Sequence, residues 1–536
     1  MTVRVDQEIV FKALLQPGVY PHPVERITVQ ETHISKVFLT GTRVYKVKKA
    51  VDFGFLNYAT LDQRLHYCRQ EVLLNSRLAP SVYIGVTPIT YDGRSVVLQG
   101  DGDVVEYAVC MRQLPTEHSL LNRLHAGRVD DKQIAAIVDR LVLFYRQADA
   151  SPASATWGTL DIIAQNCSDN FTQILPLVGE EISSSRLTTI QQATNLFVER
   201  HGTIFRQRLE DGFIRDGHGD LRCGHIYIED GIQIIDCIEF HARYRCGDVA
   251  ADIAFLAMDL DVEGFPQTAR AIAESYARQA GDPLLLILLD FYKCYRAMVR
   301  VKVNLLRLHE KGVGTAEAAK LGRHTRRFGE LAFAYALCFT RPTVWVFCGM
   351  PASGKSTVAA AVGNALGIGV LSSDHIRKTL FRLTPEDHRP TAWAEGIYAP
   401  GAGRRTYARM LQEAHEELSR GVSVVLDATF SLDKDRRQAL ILAHDHDANI
   451  IFAECRAPEA ELRKRLARRE REPGASDARL DHWEHFQEHY EPIVDIAAPM
   501  HMVLDTTRPV EELLLDLMSA DTAMRAEQIG RKLKES

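Results

Sequence analysis

The chain has 536 residues, of which 46% are hydrophobic and 25% charged, and its formal net charge is −6. This length predicts more than one domain, and this composition excludes a largely disordered chain. The negative charge excludes a global attraction to nucleic acid or to anionic membrane, and no stretch reaches the ~20 apolar residues of a membrane span. Ten scattered cysteines without CxxC pairs, and a start without signal-peptide features, predict a cytoplasmic protein.

The first elements along the chain predict a β-rich region that carries a lysine and a glutamate. Apolar runs at residues 36–39 and 44–47 predict two strands, and residues 61–78 an amphipathic helix. Lys46 lies on the second strand and Glu71 on the helix. Lys48 shares the strand face of Lys46 at period two, which leaves the choice between the two lysines open. An ordinary exposed strand lysine is the alternative interpretation of Lys46.

A segment from His218 to Asp236 is the most informative part of the N-terminal half. Asp230-Gly231 stands between two apolar runs and predicts a β-hairpin. Because a hairpin returns the chain to where it began, Asp220, His225 and Asp236 are expected to lie together at its open end. Two carboxylates and an imidazole can supply a general base and Mg²⁺ ligands, which phosphoryl transfer needs.

This segment resembles the catalytic loop and metal-binding aspartate of aminoglycoside phosphotransferase-like kinases, which are relatives of protein kinases. The resemblance implies that Asp220 accepts the proton of the acceptor hydroxyl and that Asp236 binds Mg²⁺. It also implies that Lys46, paired with Glu71, holds the ATP phosphates. His225 stands in the place of the family's usual metal-binding asparagine, and imidazole is a poor ligand for a hard ion such as Mg²⁺.

Other parts of the N-terminal half take their interpretation from this resemblance. Thr40-Gly-Thr42 stands where a glycine-rich loop is expected, without being a convincing one. Residues 111–114 are expected to form the linker beside the adenine. Asp248 and Asp252 are expected to brace the catalytic loop, and the helical region 157–208 to face the acceptor.

A domain boundary is predicted near residue 340. A long helical stretch over residues 281–337 ends there, and Pro342 precedes a new apolar run. Strands come early and helices late before this point, whereas strands and helices alternate after it. We therefore predict a multidomain α+β and α/β protein. A bilobal protein-kinase-like domain spans 1–340, with a small lobe of about 1–112 and a helical large lobe of about 113–340. A P-loop domain with a five-stranded parallel sheet spans 341–536.

The C-terminal half opens with a phosphate-binding pattern, Gly349-Met-Pro-Ala-Ser-Gly-Lys-Ser356. Glycines at this spacing let backbone N–H groups surround phosphate oxygens, while Lys355 reaches the β- and γ-phosphates and the Ser356 hydroxyl ligates Mg²⁺. A predicted strand precedes the pattern and a predicted helix follows it, which is the context this chemistry needs. The predicted nucleotide contacts are Gly349, Ser353, Gly354, Lys355, Ser356 and Thr357.

Four more strands are predicted at residues 368–373, 422–426, 450–454 and 500–504. Asp374 and Asp427 follow the ends of two of them, on the sheet edge where ligands of parallel sheets gather. Asp427 is therefore a candidate Mg²⁺ carboxylate and Asp374 a candidate base near the acceptor. Capping of the following helix is the alternative interpretation of each aspartate.

Residues 343–515 resemble small P-loop kinases of the polynucleotide kinase, gluconate kinase and zeta-toxin type. The pattern Asp374-His-Ile-Arg377 matches the place of a general base and of an arginine that holds a substrate phosphate. Such kinases carry a basic lid, and Arg463 and Arg468 in the arginine-rich stretch 462–469 are candidate ATP contacts. Arg405 is a candidate acceptor contact. A solvated helix face is the alternative interpretation of these arginines.

Together these patterns predict an ATP- and Mg²⁺-dependent phosphotransferase with two nucleotide sites and hydroxyl acceptors. The alternative is a P-loop kinase or ATPase regulated by a degenerate N-terminal kinase domain, and a motor-type ATPase is disfavoured because no Asp-Glu ends a long apolar strand. The acceptor is either a small molecule or a nucleic acid 5′-hydroxyl end. Trp393, Tyr398 and Tyr407 are candidate stacking residues for the latter. Packing in the core is the equally weighted alternative interpretation of all three.

Overall fold

The computed structural model describes residues 5–52, 54, 56–310, 313–383, 401–471 and 483–535. The chain forms two compact units, and each is made of two stretches of sequence. The first unit holds Met1–Ile163 and Arg208–Tyr276, and the second holds Ala164–Gln207 and Ala277–Ser536. The boundary expected near residue 340 lies inside the second unit and stays a prediction.

An antiparallel sheet of six strands begins the first unit, in the order β1-β2-β3-β6-β4-β5. Its elements are α1 (Gln7–Ala13), β1 (Thr28–Glu31), β2 (Ser35–Leu39), β3 (Arg43–Lys48), α2 (Leu61–Asn75), β4 (Tyr83–Tyr91), β5 (Val96–Leu98) and β6 (Asp103–Arg112). Strand β1 is absent from the sequence prediction. Helix α2 begins with a capping box in which the Thr60 side chain and Gln63 satisfy each other's backbone N–H groups.

Helices and two short strand pairs follow this sheet. They are α3 (Leu120–His125), α4 (Asp131–Gln147), α5 (Pro152–Ala155), α6 (Leu160–Ile174), α7 (Ser184–Arg200), α8 (Gly202–Glu210), β7 (Ile214–Asp216), β8 (Ile226–Ile228), β9 (Ile232–Ile234), α9 (Ala242–Arg245), β10 (Cys246–Asp248), α10 (Val249–Glu263) and α11 (Pro266–Ala280). The predicted hairpin is confirmed, because β8 and β9 pair antiparallel with Ile226 opposite Ile234. Its turn residues Asp230 and Gly231 have φ of 48° and 91°, which suits Asp-Gly.

The second unit contains a five-stranded parallel sheet in the order β12-β13-β11-β14-β15. The remaining elements are α12 (Leu284–Leu308), α13 (Thr315–Phe339), β11 (Thr343–Cys348), α14 (Lys355–Leu366), β12 (Val370–Ser372), α15 (Ser373–Leu380), α16 (Ala402–Ser419), β13 (Val424–Asp427), α17 (Asp433–Asp445), β14 (Asn449–Arg456), α18 (Glu459–Arg471), α19 (Trp483–Glu488), β15 (His501–Asp505) and α20 (Val510–Glu535).

Every residue of β11 and β13 is buried, as expected of central strands covered by helices on both faces. The strand ends differ from the predicted ones by one or two residues. The fold class predicted from the sequence is confirmed in its architecture: an antiparallel sheet with helices precedes a domain with five parallel strands.

Helix α20 joins the parallel sheet to the helices that precede it in the chain. It packs against α12, α13 and α14. Its Arg525 forms ion pairs with Asp290 of α12 and Asp521, and donates to the Leu286 carbonyl oxygen at 3.0 Å. On another helix, Arg200 of α7 donates to the Arg420 and Gly421 carbonyl oxygens at the end of α16, both at 2.6 Å. Helices α7, α12 and α13 therefore pack with the P-loop region inside the second unit.

Among the helices of the described residues, none combines the length and apolar character that crossing a membrane requires. All ten cysteines lie within the described residues as buried free thiols, as the sequence predicts.

Candidate active sites

The phosphate-binding pattern forms a tight loop between β11 and α14. Its backbone takes the left-handed region at Gly349, Ala352 and Gly354, where φ is 128°, 62° and 90°. Gly354 is the N-cap of α14 and offers no side-chain cap. The first N–H groups of α14 therefore have no capping side chain at the point where a helix dipole attracts anions.

The position of Gly349 requires a glycine. A Cβ atom placed there would lie 2.4 Å from the Cys455 carbonyl oxygen of β14, a distance no real contact allows. Its N–H donates to the Thr429 carbonyl oxygen at 3.1 Å, which fixes the loop against the end of β13. The loop is thus held by backbone on both sides.

The side chains of the loop and of the helix turn after it differ in burial. Lys355 is buried and its Nζ donates to the Met350 carbonyl oxygen at 3.0 Å. The Ser353 hydroxyl is fully buried, and within the described parts of the chain it has no hydrogen-bond partner. Ser356 and Thr357 are exposed in the first turn of α14. A buried donor without a partner and a lysine turned onto its own loop are what a bound phosphate would engage.

The two predicted aspartates lie at the same edge of the sheet as the loop. Asp427 is the last residue of β13 and is 5% exposed, directly beside Phe347 of β11. Asp374 stands in the first turn of α15, where its Oδ1 accepts from Arg377 Nη1 at 2.8 Å. The predicted base and the predicted substrate arginine therefore form an ion pair with each other.

The predicted arginines are spread over two helices. Arg405 is exposed on α16 and lies over the Phe381 ring, 5.3 Å from its centre. Arg463 pairs with Glu459 and lies over the Trp483 ring, and Arg468 is exposed.

The arginine of α18 that reaches the phosphate loop is one the sequence interpretation missed. Arg465 donates to the Ala352 carbonyl oxygen at 3.4 Å and to the Thr506 carbonyl oxygen at 3.0 Å. Thr506 in turn donates to the Ser353 carbonyl oxygen at 2.6 Å. The only sequence signal for Arg465 is its place four residues after Glu461, with which it pairs.

The stacking residues proposed from the sequence have different outcomes. Trp393 and Tyr398 lie outside the described residues. The Tyr407 hydroxyl accepts from the Phe430 N–H at 2.9 Å and the ring packs against the core of the parallel sheet. Burial raises the pKa of Tyr407 to about 12. Tyr407 therefore supports the loop that follows β13, which agrees with its alternative interpretation as a core residue.

In the first unit the hairpin brings Asp220, His225 and Asp236 together. Ligand atoms of these three side chains all lie within 4.8 Å of one another. Asp236 has φ of 66°, a left-handed conformation that is uncommon for a residue other than glycine. Burial acts to raise the pKa of Asp236, but the Lys46 ammonium group outweighs it and holds this pKa well below its ordinary value. Asp236 is therefore ionised at neutral pH.

Asp220 and His225 are tied to Arg222. The guanidinium of Arg222 holds both carboxylate oxygens of Asp220, at 3.0 and 2.9 Å, and also donates to His225 Nε2 at 2.7 Å. Because arginine only donates, Nε2 accepts and Nδ1–H donates to the Asp220 carbonyl oxygen at 3.0 Å. Burial and Arg222 lower the pKa of His225, so the ring is neutral.

Lys46 and Glu71 form the predicted ion pair. Lys46 Nζ lies 2.8 Å from Glu71 Oε1 and 2.7 Å from Asp236 Oδ1. Burial would raise the pKa of Glu71, but Lys46 and Lys48 lower it below its ordinary value. Lys48, which the sequence left as the competing choice, also contacts Glu71, at 2.7 Å. The Glu71 carboxylate therefore forms ion pairs with both Lys46 and Lys48.

Two aspartates of α10 hold the loop that runs from His218 to His225. Asp252 accepts from the His218 N–H at 2.7 Å, the Gly219 N–H at 3.0 Å and the Tyr145 hydroxyl at 2.9 Å. Asp259 accepts from the Cys223 N–H at 2.9 Å. Asp252 braces the loop in the way the sequence suggests.

Asp248 was expected to brace the same loop as Asp252. The contacts described here instead connect it to Arg208 and to the start of α10. It forms a buried two-bond ion pair with Arg208, with both contacts at 2.7 Å, and caps α10.

The structure gives a different position for the turn that was compared with a glycine-rich loop. Thr40-Gly-Thr42 is the β2–β3 turn, and it is held to the linker because the Gly41 N–H donates to Gln113 Oε1 at 3.0 Å. The β1–β2 turn at residues 32–34 lies beside the Lys48 end of β3, because Ser35 of β2 pairs with Lys48. This turn contains no glycine. Strand β1 was not predicted, so the turn could not be recognised from the sequence.

The donor sets fit Mg²⁺ in both units through oxygen atoms. Asp236 and Asp220 supply carboxylate oxygens in the first unit, and Ser356 and Asp427 lie on one sheet edge in the second. Both nitrogen atoms of His225 already take part in hydrogen bonds, so its role as a metal ligand stays a prediction.

Comparisons with known proteins agree with this architecture. A family model described as "AAA domain" matches residues 344–493. The parallel sheet and the phosphate loop define a P-loop domain, which follows a six-stranded antiparallel sheet and helices in the chain. The chain is 31% identical over 462 residues to the uncharacterized protein Rv2004c of Mycobacterium tuberculosis H37Rv, covering 85% of this chain and 89% of the relative. It belongs to the family of that mycobacterial protein.

Two solved structures are also similar to this chain. One is a candidate aminoglycoside phosphotransferase from Ralstonia eutropha JMP134, 13% identical, covering 62% of this chain and 99% of that chain, with a TM-score of 0.33. The other is the APS kinase CysC of Mycobacterium tuberculosis in complex with AMPPNP and APS, 22% identical, covering 34% of this chain and 97% of that chain, with a TM-score of 0.26.

Proposed function

We propose that the chain is an ATP-dependent phosphotransferase with two nucleotide sites, each of which transfers the γ-phosphate to a hydroxyl group. The observation that carries the proposal is the phosphate loop. It combines three left-handed residues, a helix start without a side-chain cap, a buried Lys355 and a buried Ser353 hydroxyl. Each of these features offers donors to phosphate oxygens.

At the P-loop, Lys355 leaves the Met350 carbonyl oxygen and binds the transferring phosphate. Ser356 and Asp427 would hold Mg²⁺, which would supply positive charge beside the phosphate oxygens. Asp374 accepts the proton of the acceptor hydroxyl as that oxygen bonds to the γ-phosphorus and the bond to the leaving ADP oxygen breaks. Arg377, now paired with Asp374, turns to an anionic group of the acceptor, and Thr357, Ser353 and both loop glycines surround the phosphates.

In the first unit, Asp220 would act as the general base and Asp236 would bind Mg²⁺. His225 lies beside both carboxylates. Lys46 binds the ATP phosphates and Glu71 orients it. The support is the convergence of these groups and the ion pairs of Lys46 with Glu71 and Asp236. Lys46 would bind a phosphate oxygen in place of its Asp236 contact while Glu71 keeps the lysine in position, and Asp236 would hold Mg²⁺.

The acceptor of the P-loop site carries a hydroxyl and an anionic group. Arg377 and the exposed Arg405 suit a phosphate or carboxylate, because a guanidinium binds such groups through two bonds. A small phosphorylated or acidic molecule fits these features, and a nucleic acid 5′-hydroxyl end fits them as well. Since Tyr407 is committed to the core, a small-molecule acceptor is favoured.

A second candidate function follows from Arg222. Its guanidinium occupies both oxygens of Asp220, so the proposed base is blocked by a residue two positions away. A first unit that binds nucleotide without transferring phosphate, and regulates the P-loop site, would have this feature.

Labelled γ-phosphate transfer separates these functions. ATP is incubated with a 5′-hydroxyl oligonucleotide and, separately, with a set of hydroxylated metabolites, using the wild type, Lys355→Ala and Asp220→Ala. Lys434→Ala, at an exposed position of α17, is the matched control for the lysine change. Loss of transfer in Lys355→Ala alone, with Asp220→Ala unaffected for every acceptor, supports the regulatory function. Transfer that survives Lys355→Ala and needs Asp220 supports the second kinase site, and full transfer in Lys355→Ala for every acceptor overturns the P-loop assignment.

A further inference from the structure

A chain of alternating charges lies beneath the first-unit site. Lys48 is 0% exposed, and its Nζ contacts Glu71 Oε2 at 2.7 Å, the Tyr58 hydroxyl at 3.4 Å and Glu239 Oε1. An ammonium group has three N–H donors, so Lys48 is fully satisfied by these partners. It has no donor left for a nucleotide, whereas the Lys46 side chain is partly exposed beside Asp236.

Lys48 fixes the orientation of Glu71. The two carboxylate oxygens of Glu71 are divided between the lysines, with Oε1 on Lys46 and Oε2 on Lys48. With only one lysine present, this carboxylate could rotate and engage Lys46 with either oxygen. The Lys48 contact therefore sets where Glu71 presents Oε1, and through it where the Lys46 ammonium stands.

Lys48 also fixes the segment that carries Asp236. Glu239 follows Asp236 by three residues and is buried, and its Oε1 accepts from both Lys48 and the Tyr58 hydroxyl, the latter at 2.6 Å. The chain after the hairpin is thereby tied to β3 and to the loop before α2. One ammonium group thus links the strand of Lys46, the helix of Glu71 and the backbone that follows Asp236.

The charges of the cluster make this link necessary. Lys46 and Lys48 face three carboxylates, those of Glu71, Glu239 and Asp236. Without Lys48, Glu239 would keep only the Tyr58 hydroxyl and would be an uncompensated buried charge. Its segment would then move toward water or recruit Lys46, and either change displaces Asp236 from Lys46.

We infer that Lys48 is a positioning residue of the first-unit site, which sets the distance between Lys46 and Asp236 through Glu71 and Glu239. The inference rests on the proposed function, in which Lys46 binds the nucleotide phosphates and Asp236 the Mg²⁺. It predicts that Lys48 matters most when both the nucleotide and Mg²⁺ are bound.

The test is calorimetric binding of AMPPNP, with Mg²⁺ and with EDTA, to the full chain carrying Lys355→Ala so that the P-loop contributes little. In this background Lys46→Ala, Lys48→Met and Lys48→Met/Glu239→Gln are compared. Lys49→Met is the matched control, because Lys49 is the next residue and pairs with Glu31 outside the site. We expect Lys48→Met to weaken Mg²⁺-dependent binding about 10- to 100-fold, as loss of a residue that orients a metal ligand does.

The double variant separates positioning from simple structural support. Removing Glu239's charge together with that of Lys48 leaves no orphaned carboxylate, so thermal stability should return toward that of the Lys49→Met control. Mg²⁺-dependent binding should stay weak, because the link to Asp236 is still broken. Recovery of both stability and binding in the double variant would show that Lys48 only neutralises Glu239, which overturns the inference.

The remaining outcomes distinguish the inference from the proposed function. If Lys46→Ala binds MgAMPPNP as well as its parent, the first unit has no nucleotide site at Lys46, and both the function and the inference fail. If Lys46→Ala weakens binding while Lys48→Met matches Lys49→Met, the nucleotide site stands and the positioning role fails. A loss in Lys48→Met that is equal with Mg²⁺ and with EDTA also counts against the positioning of Asp236.

Discussion

At the P-loop, the lysine, the hydroxyls and the loop backbone all come from one continuous stretch, from Gly349 to Thr357. At the first-unit site, Lys46, Glu71 and Asp236 come from a strand, a helix and a loop far apart in the chain. The P-loop is shaped by left-handed backbone and by contacts with the Cys455 and Thr429 carbonyl oxygens. The first-unit site is shaped by ion pairs between side chains.

Because of this difference, the two sites are sensitive to different kinds of substitution. A site built from backbone fails when an added side chain displaces that backbone. A site built from distant charges fails when one partner is removed and the others are left buried without compensation. Substitutions that add atoms should therefore damage the P-loop, and those that remove acceptors or charges should damage the first unit.

The largest effect is expected for Asp252→Ala in the first unit. The change leaves the His218 and Gly219 N–H groups and the Tyr145 hydroxyl without their shared acceptor, in a buried position. We expect a loss of about 3 kcal/mol or more in the free energy of unfolding. Urea unfolding measures it, with Asp131→Ala on the exposed face of α4 as the control. A loss no larger than that of the control would mean that Asp252 does not hold the catalytic loop.

A smaller effect is expected for Gly349→Ala. The new Cβ would meet the Cys455 carbonyl oxygen at 2.4 Å in a backbone of φ 128°, which costs about 2 kcal/mol and moves the loop. Gly367→Ala is the matched control, since its φ is 66° but no atom lies within 4 Å of the added Cβ. Nucleotide binding at the P-loop should be lost in the first variant and kept in the second. Equal binding by the two variants would show that loop shape is not what binds phosphate.

The smallest effect concerns acid sensitivity of the second unit. Burial, with Arg200 and Arg525, lowers the pKa of His201 from 6.5 to about 4. As the pH falls, His201 therefore takes up a proton at a higher pH in the unfolded chain than in the folded one. The contribution of His201 to the free energy of unfolding is fully present above pH 6.5 and is lost as the pH drops toward 4. Between pH 7 and 5 we expect His201 to contribute a loss of about 1 to 2 kcal/mol. Urea unfolding of His201→Gln should lack this loss, whereas the exposed His444→Gln should retain it.

Much of the second unit could be predicted from the sequence because its signals are local. Each strand of the parallel sheet is a short apolar run, and the loop pattern follows the first of them. Strand β1 escaped prediction because all four of its residues are exposed, so it lacks the alternation that marks a strand. Arg465 escaped because several arginines share α18 and only the packed helix shows which one meets the loop.

The first-unit site could be predicted only in part. The hairpin gave the grouping of Asp220, His225 and Asp236, since its geometry is set by two turn residues. The contact of Lys48 with Glu239 joins residues 191 positions apart, and no local pattern indicates such a pair. The pairing of Arg222 with Asp220 is local, but no periodicity determines which way a loop arginine turns.

The most direct test of two phosphotransfer sites is the rate of ATP consumption by four full-length proteins: wild type, Lys355→Ala, Lys46→Ala and the double variant. Each is measured with the acceptors that support label transfer. If both sites transfer phosphate, each single variant keeps part of the activity and only the double variant loses all of it. Complete loss in Lys355→Ala alone would contradict the second site and leave one kinase, the P-loop domain, in this chain.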